Sequence, residues 1–156
     1  MTTESQFMHA AIAEAQAAAS AGEVPVGAVV VLNGEIIGRG QNRVLRDLDP
    51  TAHAEIVAMR AAAQALKNYR LTDCELYVTL EPCAMCAGAM IHARLARLIY
   101  AASDPKAGAV VSVLEVLNHP QLNHQMAVDA GMLGEEAGEL LREFFRQRRA
   151  QSNIDE

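Results

Sequence analysis

Tryptophan is absent from the 156 residues, and aromatic side chains reach only 4%. A core can still form, because 51% of the chain is hydrophobic, but it must be built from Ala, Val, Leu, Ile and Met. No apolar run approaches the roughly 18 residues that a membrane-spanning helix needs, so no membrane partner is expected. The N-terminal stretch MTTESQFMHAAIAEAQ lacks the basic segment and apolar core of a secretory signal. The chain is therefore expected to be soluble and cytoplasmic. Three cysteines, an odd number, make a poor disulfide framework. In the cytoplasm such cysteines favour metal binding or catalysis. Cations are also scarce: 13 Lys and Arg face 19 Asp and Glu, for a net charge of −6. That balance argues against a general nucleic-acid binder, whose affinity is mostly phosphate neutralisation.

One local exception stands out. The stretch REFFRQRR, Arg142 to Arg149, holds four Arg against one Glu. Its ordinary explanation is a solvated helix face. No internal repeat, linker or low-complexity segment interrupts the sequence, so residues 1–156 are expected to form a single domain.

Periodicity predicts the elements. Phe7, Ala11, Ile12, Ala15 and Ala18 share a helical stripe over residues 3–21, with Gly22 as its stop. After Pro25, VGAVVVL and EIIGRGQN flank Asn33-Gly34, the strongest two-residue hairpin signal, and predict two antiparallel strands. Thr51 is a good N-cap for a helix over AHAEIVAMRAAAQAL. ELYVTL reads as a strand, with Cys74 at its start, and a helix begins at Pro82. RLIYAA reads as a fourth strand, residues 112–117 as a short helix and QMAVDAG as a fifth strand. A last helix is expected over residues 133–150, with a short flexible tail at 151–156. Its apolar side would carry Leu133, Ala137, Leu140, Leu141, Phe144 and Phe145. Strands 3 and 4 are joined through a helix, which is a parallel crossover. The pattern predicts an α/β protein whose mixed five-stranded sheet is covered by helices on both faces.

The chemistry concentrates in LEPCAMCAGAMIHAR and DPTAHAEIVAMR. Cys83 and Cys86 could form a redox pair, part of a structural zinc clip, or part of a catalytic metal site. A structural zinc site needs four protein ligands. Cys74 opens a strand and His92 lies deeper in the cysteine helix, so a fourth is hard to find. A catalytic site needs three ligands and an open position for water. Cys83 and Cys86, at i and i+3, share one side of a first helical turn. His53 begins another helix, and Glu55 follows it by two residues. In a first turn both can reach a site in front of the helix end, one as ligand and one as acid–base group. Two thiolates and an imidazole leave a zinc centre formally neutral, and its water ionises near neutral pH. Taken singly, each residue has a plain structural role; it is the combination that points to catalysis.

HAE followed by PCAMC is the H-x-E…P-C-x-x-C pattern of the zinc nucleobase deaminases. The chain is similar to the bacterial tRNA-specific adenosine deaminases over nearly its whole length. The stretches that carry the resemblance are EVPVGAVVV, GQNR, DPTAHAEIVAMR, NYRLTDCELYVTLEPCAMCAGAMIHAR, SDPKAGA and the terminal FFRQRR. It implies a three-layer α/β/α sandwich of the cytidine-deaminase-like kind. It also implies one zinc per chain held by His53, Cys83 and Cys86, with Glu55 as proton shuttle. The implied reaction is hydrolytic deamination of adenosine to inosine at the wobble position of a tRNA anticodon stem-loop, an arginine tRNA in this family. Asn42 would contact the flipped nucleoside and Val26 would line the base pocket. Asp104 and Lys106 would lie along the RNA loop, and Arg146, Arg148 and Arg149 would meet phosphates. The family is homodimeric. A deaminase of free cytosine, cytidine or guanine would use the same metal site with a different pocket, and is the alternative. A non-catalytic RNA-binding subunit is a further alternative, which the shuttle carboxylate disfavours.

Overall fold

The computed structural model describes residues 3–155. Helix α1 (Glu4–Ser20) leads into β1 (Gly27–Leu32) and β2 (Glu35–Gln41). Helix α2 (Ala54–Leu66), β3 (Glu75–Leu80), α3 (Ala84–Ala93) and β4 (Arg97–Ala102) follow. A 3₁₀ turn (Val116–Asn118), β5 (Ala127–Ala130) and α4 (Gly134–Asp155) complete the described chain. The sheet order is β2-β1-β3-β4-β5. β1 is antiparallel to both β2 and β3, whereas β3–β4 and β4–β5 are parallel.

The central strands are apolar on both sides, as a sheet covered on both faces requires. Ala28, Val30, Leu76, Val78, Leu98 and Tyr100 pack with residues of α2 and α3. The alternate positions Val29, Val31, Tyr77, Ile99 and Ala101 pack with Phe7, Met8, Ala11 and Ile12 of α1 and Ala137 of α4. This period of two is what places α2 and α3 in one layer and α1 and α4 in the other. The expected three-layer α/β/α sandwich is the architecture.

Two local features bring α2 to the site. Asn33 (φ 52°) and Gly34 (φ 78°) both adopt positive φ and close the β1–β2 hairpin. Gly38 and Gly40 then let α2 lie directly on β2. A Cβ at Gly40 would stand 2.2 Å from the Ala54 carbonyl oxygen, and one at Gly38 would stand 2.5 Å from that of Ala58.

Several expected boundaries need correction. Thr51 does not cap α2. His53 is the N-cap, in extended conformation. Thr51 instead bonds through its N–H and its hydroxyl to Asp49 Oδ1, at 2.9 and 2.7 Å. Helix α3 starts at Ala84 rather than Pro82, with Cys83 as its N-cap. The short helix expected at 112–117 is only the 3₁₀ turn, because the preceding backbone is engaged elsewhere, as described below. Cys74 lies just before β3, buried in the core. Helix α4 continues through the expected tail to Asp155, since no Gly or Pro follows Ala150 to stop it. Only Ala137 of its expected apolar side is fully buried; Leu133, Leu140, Leu141 and Phe144 are half-buried and Phe145 is 44% exposed. Its far end is tied down by Arg148, which stacks over Phe144 at 4.9 Å and donates to the Gly22 carbonyl. No described helix is long and apolar enough to cross a membrane.

Candidate active site

The N-termini of α2 and α3 converge. His53 and Cys83 occupy the two N-cap positions, and Glu55 and Cys86 sit inside the two first turns. His53 Nδ1 stands 3.5 Å from Cys83 Sγ and 3.5 Å from Cys86 Sγ. All three donor atoms lie within 4.8 Å of one another. Zinc bonds of about 2.0 Å to nitrogen and about 2.3 Å to sulfur, at the tetrahedral angle, separate those atoms by about 3.5 Å. The three side chains therefore fit a tetrahedral metal ion with one position left for a small ligand. Among the described residues no other His, Cys, Asp or Glu group forms such a cluster.

Protonation supports the same conclusion. Hydrogen bonds from Cys86 and His53 hold the Cys83 thiol down, to a pKa of about 3. The neighbouring Cys83 thiolate and burial push the Cys86 thiol up. His53 is raised, chiefly by its bond to Cys83. The two positive helix ends favour thiolate at this cluster, as a divalent cation would.

Glu55 is 4% exposed. Burial raises its pKa to about 7, against the opposing effects of its own backbone N–H and the His53 charge. A carboxyl poised there can take and return a proton near neutral pH.

His53, Glu55 and Cys83 line a cavity of about 230 Å³, whose walls also include Val24, Val26, Asn42, Leu80, Glu81 and Asp104. The structure thus brings Val26, Asn42 and Asp104 to the His53–Cys83–Cys86 cluster. Asn42 Oδ1 is buried without a hydrogen-bond partner among the described residues. Its backbone is fixed: Asn42 N–H donates to Val26 O at 3.1 Å, and Arg46 donates to Asn42 O at 2.7 Å. Lys106 is not on the cavity wall. It is exposed and lines a neighbouring groove of about 1050 Å³, together with Arg146 and Arg149. Val24, Leu80 and Asp104 line both spaces, so the cavity opens into the groove. Arg146 is paired with Glu143 and with Glu139, at 3.8 Å from the latter. Arg148 is outside the groove, on Gly22. His92 is exposed near the C-terminal end of α3.

Two buried carboxylates, Glu81 in this wall and Glu23 outside it, are not among the residues the sequence singles out. Glu23 is buried and accepts from Leu45 N–H (3.0 Å), Arg46 N–H (2.9 Å) and Arg46 Nε (3.1 Å). Burial opposes its charge, but these donors outweigh it and lower its pKa. Glu81 is 2% exposed and is the more heavily bonded. The available signals were acidic residues inside otherwise apolar stretches, EVPVG and LEPC.

A mixed sheet with a His–Cys–Cys cluster and a buried glutamate at two converging helix ends defines a deaminase of the cytidine-deaminase-like class. The MafB19-like deaminase family matches residues 2–149. The tRNA-specific adenosine deaminase of Agrobacterium fabrum is 47% identical over 149 residues, covering 96% of this chain and 98% of that protein. A solved tRNA:A34 deaminase structure, from studies of A-to-I editing at the wobble position of transfer RNA, superposes with a TM-score of 0.86 at 46% identity. It covers 88% of this chain and 100% of its own. A guanine deaminase from Nitrosomonas europaea superposes with a TM-score of 0.77 at 28% identity, covering 92% and 85%. The chain belongs to the tRNA-specific adenosine deaminase family.

Proposed function

We propose that this chain deaminates the wobble adenosine of a tRNA anticodon loop to inosine, an arginine tRNA being the expected substrate. The observation that carries this is the pairing of a small cavity with a large groove. About 230 Å³ beside Glu55 suits one flipped base, and the adjoining space of about 1050 Å³ has room for the nucleotides that flank it. An unstacked loop base is the cheapest to extrude. With a net charge of −6, most of the surface repels RNA, so binding depends on the flipped base and a few cations, Lys106, Arg146 and Arg149 among them. With tRNA as substrate the enzyme works in the cytoplasm.

His53, Cys83 and Cys86 would hold one zinc ion, the metal their nitrogen and sulfur donors suit best. When bound it supplies a water that ionises near neutral pH and polarises the reacting centre. Glu55 takes one proton from the attacking water and delivers it to N1 of adenine, then takes the second from the oxygen now bonded to C6 and delivers it to the amine as the C6–N6 bond breaks. Water and adenosine thereby give inosine and ammonia. Asn42 Oδ1 accepts a hydrogen bond from the bound nucleoside, which relieves a buried acceptor that otherwise has no partner. Val26 forms an apolar side of the base pocket. Asp104 stands where the cavity meets the groove and can face the nucleoside's sugar. A homodimer is proposed through the outer face of α3, where Met85 is exposed and Gly88 and Ala89 are partly so.

The test is incubation with an anticodon stem-loop carrying adenosine at the wobble position, followed by sequencing for A-to-G change. Turnover of free guanine or cytidine with no conversion of the stem-loop would replace this proposal with the free-base alternative. The likeness to the guanine deaminase fold makes that the relevant competitor.

A further inference from the structure

The proton chemistry assigns no role to Glu81, although it is buried in the cavity wall. Its backbone closes β3, where Glu81 N–H donates to Ala102 O at 2.8 Å. Its side chain enters the loop after β4. Oε1 accepts from Asp104 N–H at 3.1 Å and from the Ser112 hydroxyl. Oε2 accepts from the N–H groups of Val110, Val111 and Ser112, at 3.1, 2.9 and 3.0 Å. The segment from Asp104 to Ser112 thus wraps a carboxylate with its own amides, an anion nest whose anion comes from the protein. Gly108 makes the approach possible. A Cβ there would lie 2.4 Å from Glu81 Cδ and 2.6 Å from Asp104 O.

This segment has no helix or strand of its own. Its other backbone ties are mostly local: Gly108 N–H to Asp104 O, Lys106 and Ala107 N–H to Asp104 Oδ1, Val113 and Leu114 N–H to Gly108 O and Val116 N–H to Ala109 O; Ala109 N–H to Pro82 O, at 2.8 Å, reaches outside the loop. Its leading edge is nevertheless part of the site. Asp104 and Ala107 line the cavity with His53 and Glu55. Asp104, Pro105 and Lys106 continue along the groove.

We propose that Glu81 is a positioning residue, whose carboxylate anchors the Asp104–Ser112 segment as one wall of the cavity and thereby sets affinity for the entering nucleotide. The proposal rests on the cavity being the nucleotide site. Glu81 touches no reacting atom. It acts through where it holds Asp104 and Ala107. A purely structural Glu81 would alter stability and leave the balance between KM and kcat untouched.

Three variants separate these roles. Glu81→Gln keeps the volume but turns an amide toward backbone donors. Gly108→Ala crowds the same carboxylate from the loop side without changing its charge. Glu81→Asp keeps the charge and should restore part of what Glu81→Gln loses. Each is measured for metal per chain, for amide hydrogen exchange, and for KM and kcat on the wobble-adenosine stem-loop. In Glu81→Gln the amides of Asp104, Val110, Val111 and Ser112 should exchange at least about tenfold faster. Its KM should rise about tenfold, with kcat within about threefold and metal content unchanged. Gly108→Ala should move both quantities in the same direction, and it carries the test if Glu81→Gln fails to fold. Unchanged loop amides, or faster amides with an unchanged KM, would overturn the proposal. A wild-type chain that ignores the stem-loop but turns over guanine or cytidine would overturn the tRNA reading alone. The same KM comparison on that base or nucleoside then decides the role of Glu81.

Discussion

Glu55 and Glu81 line one cavity and are about equally shielded from solvent, yet their pKa values are shifted in opposite directions. Against burial Glu55 has only its own backbone N–H, the His53 charge and the Cys86 thiol, and its pKa rises to about 7. Burial also opposes ionisation of Glu81. There the Ser112 hydroxyl and the N–H groups of Val111, Ser112 and Asp104 prevail, and its pKa falls to about 2. The two differ in their supply of fixed donors, and Glu55 also lies deeper in the protein. One carboxyl is left short of partners and so can move a proton. The other is saturated and so can hold a loop.

The sharpest way to break this comparison is to neutralise Glu55. Glu55→Gln should keep its metal and lose deamination by about 10³-fold or more, as expected when a general acid–base group that also serves the attacking water is removed. Single-turnover assays with metal analysis check this, and near wild-type turnover would remove Glu55 from the chemistry. The same change should stabilise the metal-free protein at pH 8. A group whose folded pKa lies above its unfolded value, here about 7 against 4.5, loses stability as pH rises between them. Urea titration at pH 8 should register a gain of about 1–3 kcal/mol. His53→Ala should abolish metal binding altogether.

Glu81 should show the reverse sign. Its folded pKa of about 2 lies below the ordinary 4.5, so its contribution is complete above pH 4.5 and is lost as pH falls toward 2. That amounts to about 3 kcal/mol across the window. Unfolding measured between pH 5 and pH 2 should therefore slope less steeply in Glu81→Gln than in the wild type. Equal slopes would show that the loop donors do not hold the charge.

The contrast also marks what could be read from sequence. β3 and β4 were placed at their observed limits, because ELYVTL and RLIYAA are apolar runs bounded by polar residues. His53, Glu55, Cys83 and Cys86 were legible as a group because their chemistry is carried by residue type and spacing. The helix starts were misplaced by about two residues for a related reason: the sites best suited to Ser, Thr, Asp or Asn caps are occupied by His53 and Cys83. Glu81 was not legible. Its role depends on amides of a loop more than twenty residues away, and amides carry no sequence signature. The same limit hid Glu23, whose donors belong to Leu45 and Arg46.

A smaller effect distinguishes Cys74 from the cluster. It is buried against the core, away from His53, Cys83 and Cys86. Cys74→Ser should keep a full complement of metal and cost about 1–2 kcal/mol, from placing a hydroxyl in apolar surroundings. Loss of metal from that variant alone would show that the ligand set is wrong.

The smallest expected effect lies at the rim, where the cations of α4 meet the groove. Arg146 is already matched by Glu139 and Glu143, and Arg148 is spent on Phe144 and Gly22. Arg149 lines the groove and forms no described salt bridge. Exposed ion pairs are worth little, but a cation already paired gains less from a phosphate than one that is not. Replacing all three with Ala should therefore weaken stem-loop binding by about tenfold and flatten its salt dependence, with metal content unchanged. Arg149→Ala alone should account for most of that loss, and Arg146→Ala for about twofold or less. Binding isotherms at several salt concentrations separate the variants. If Arg146→Ala proves the more damaging, the Glu139 and Glu143 contacts must open when RNA binds, and the rim would then adapt to its ligand as the carboxylate-anchored cavity wall does not.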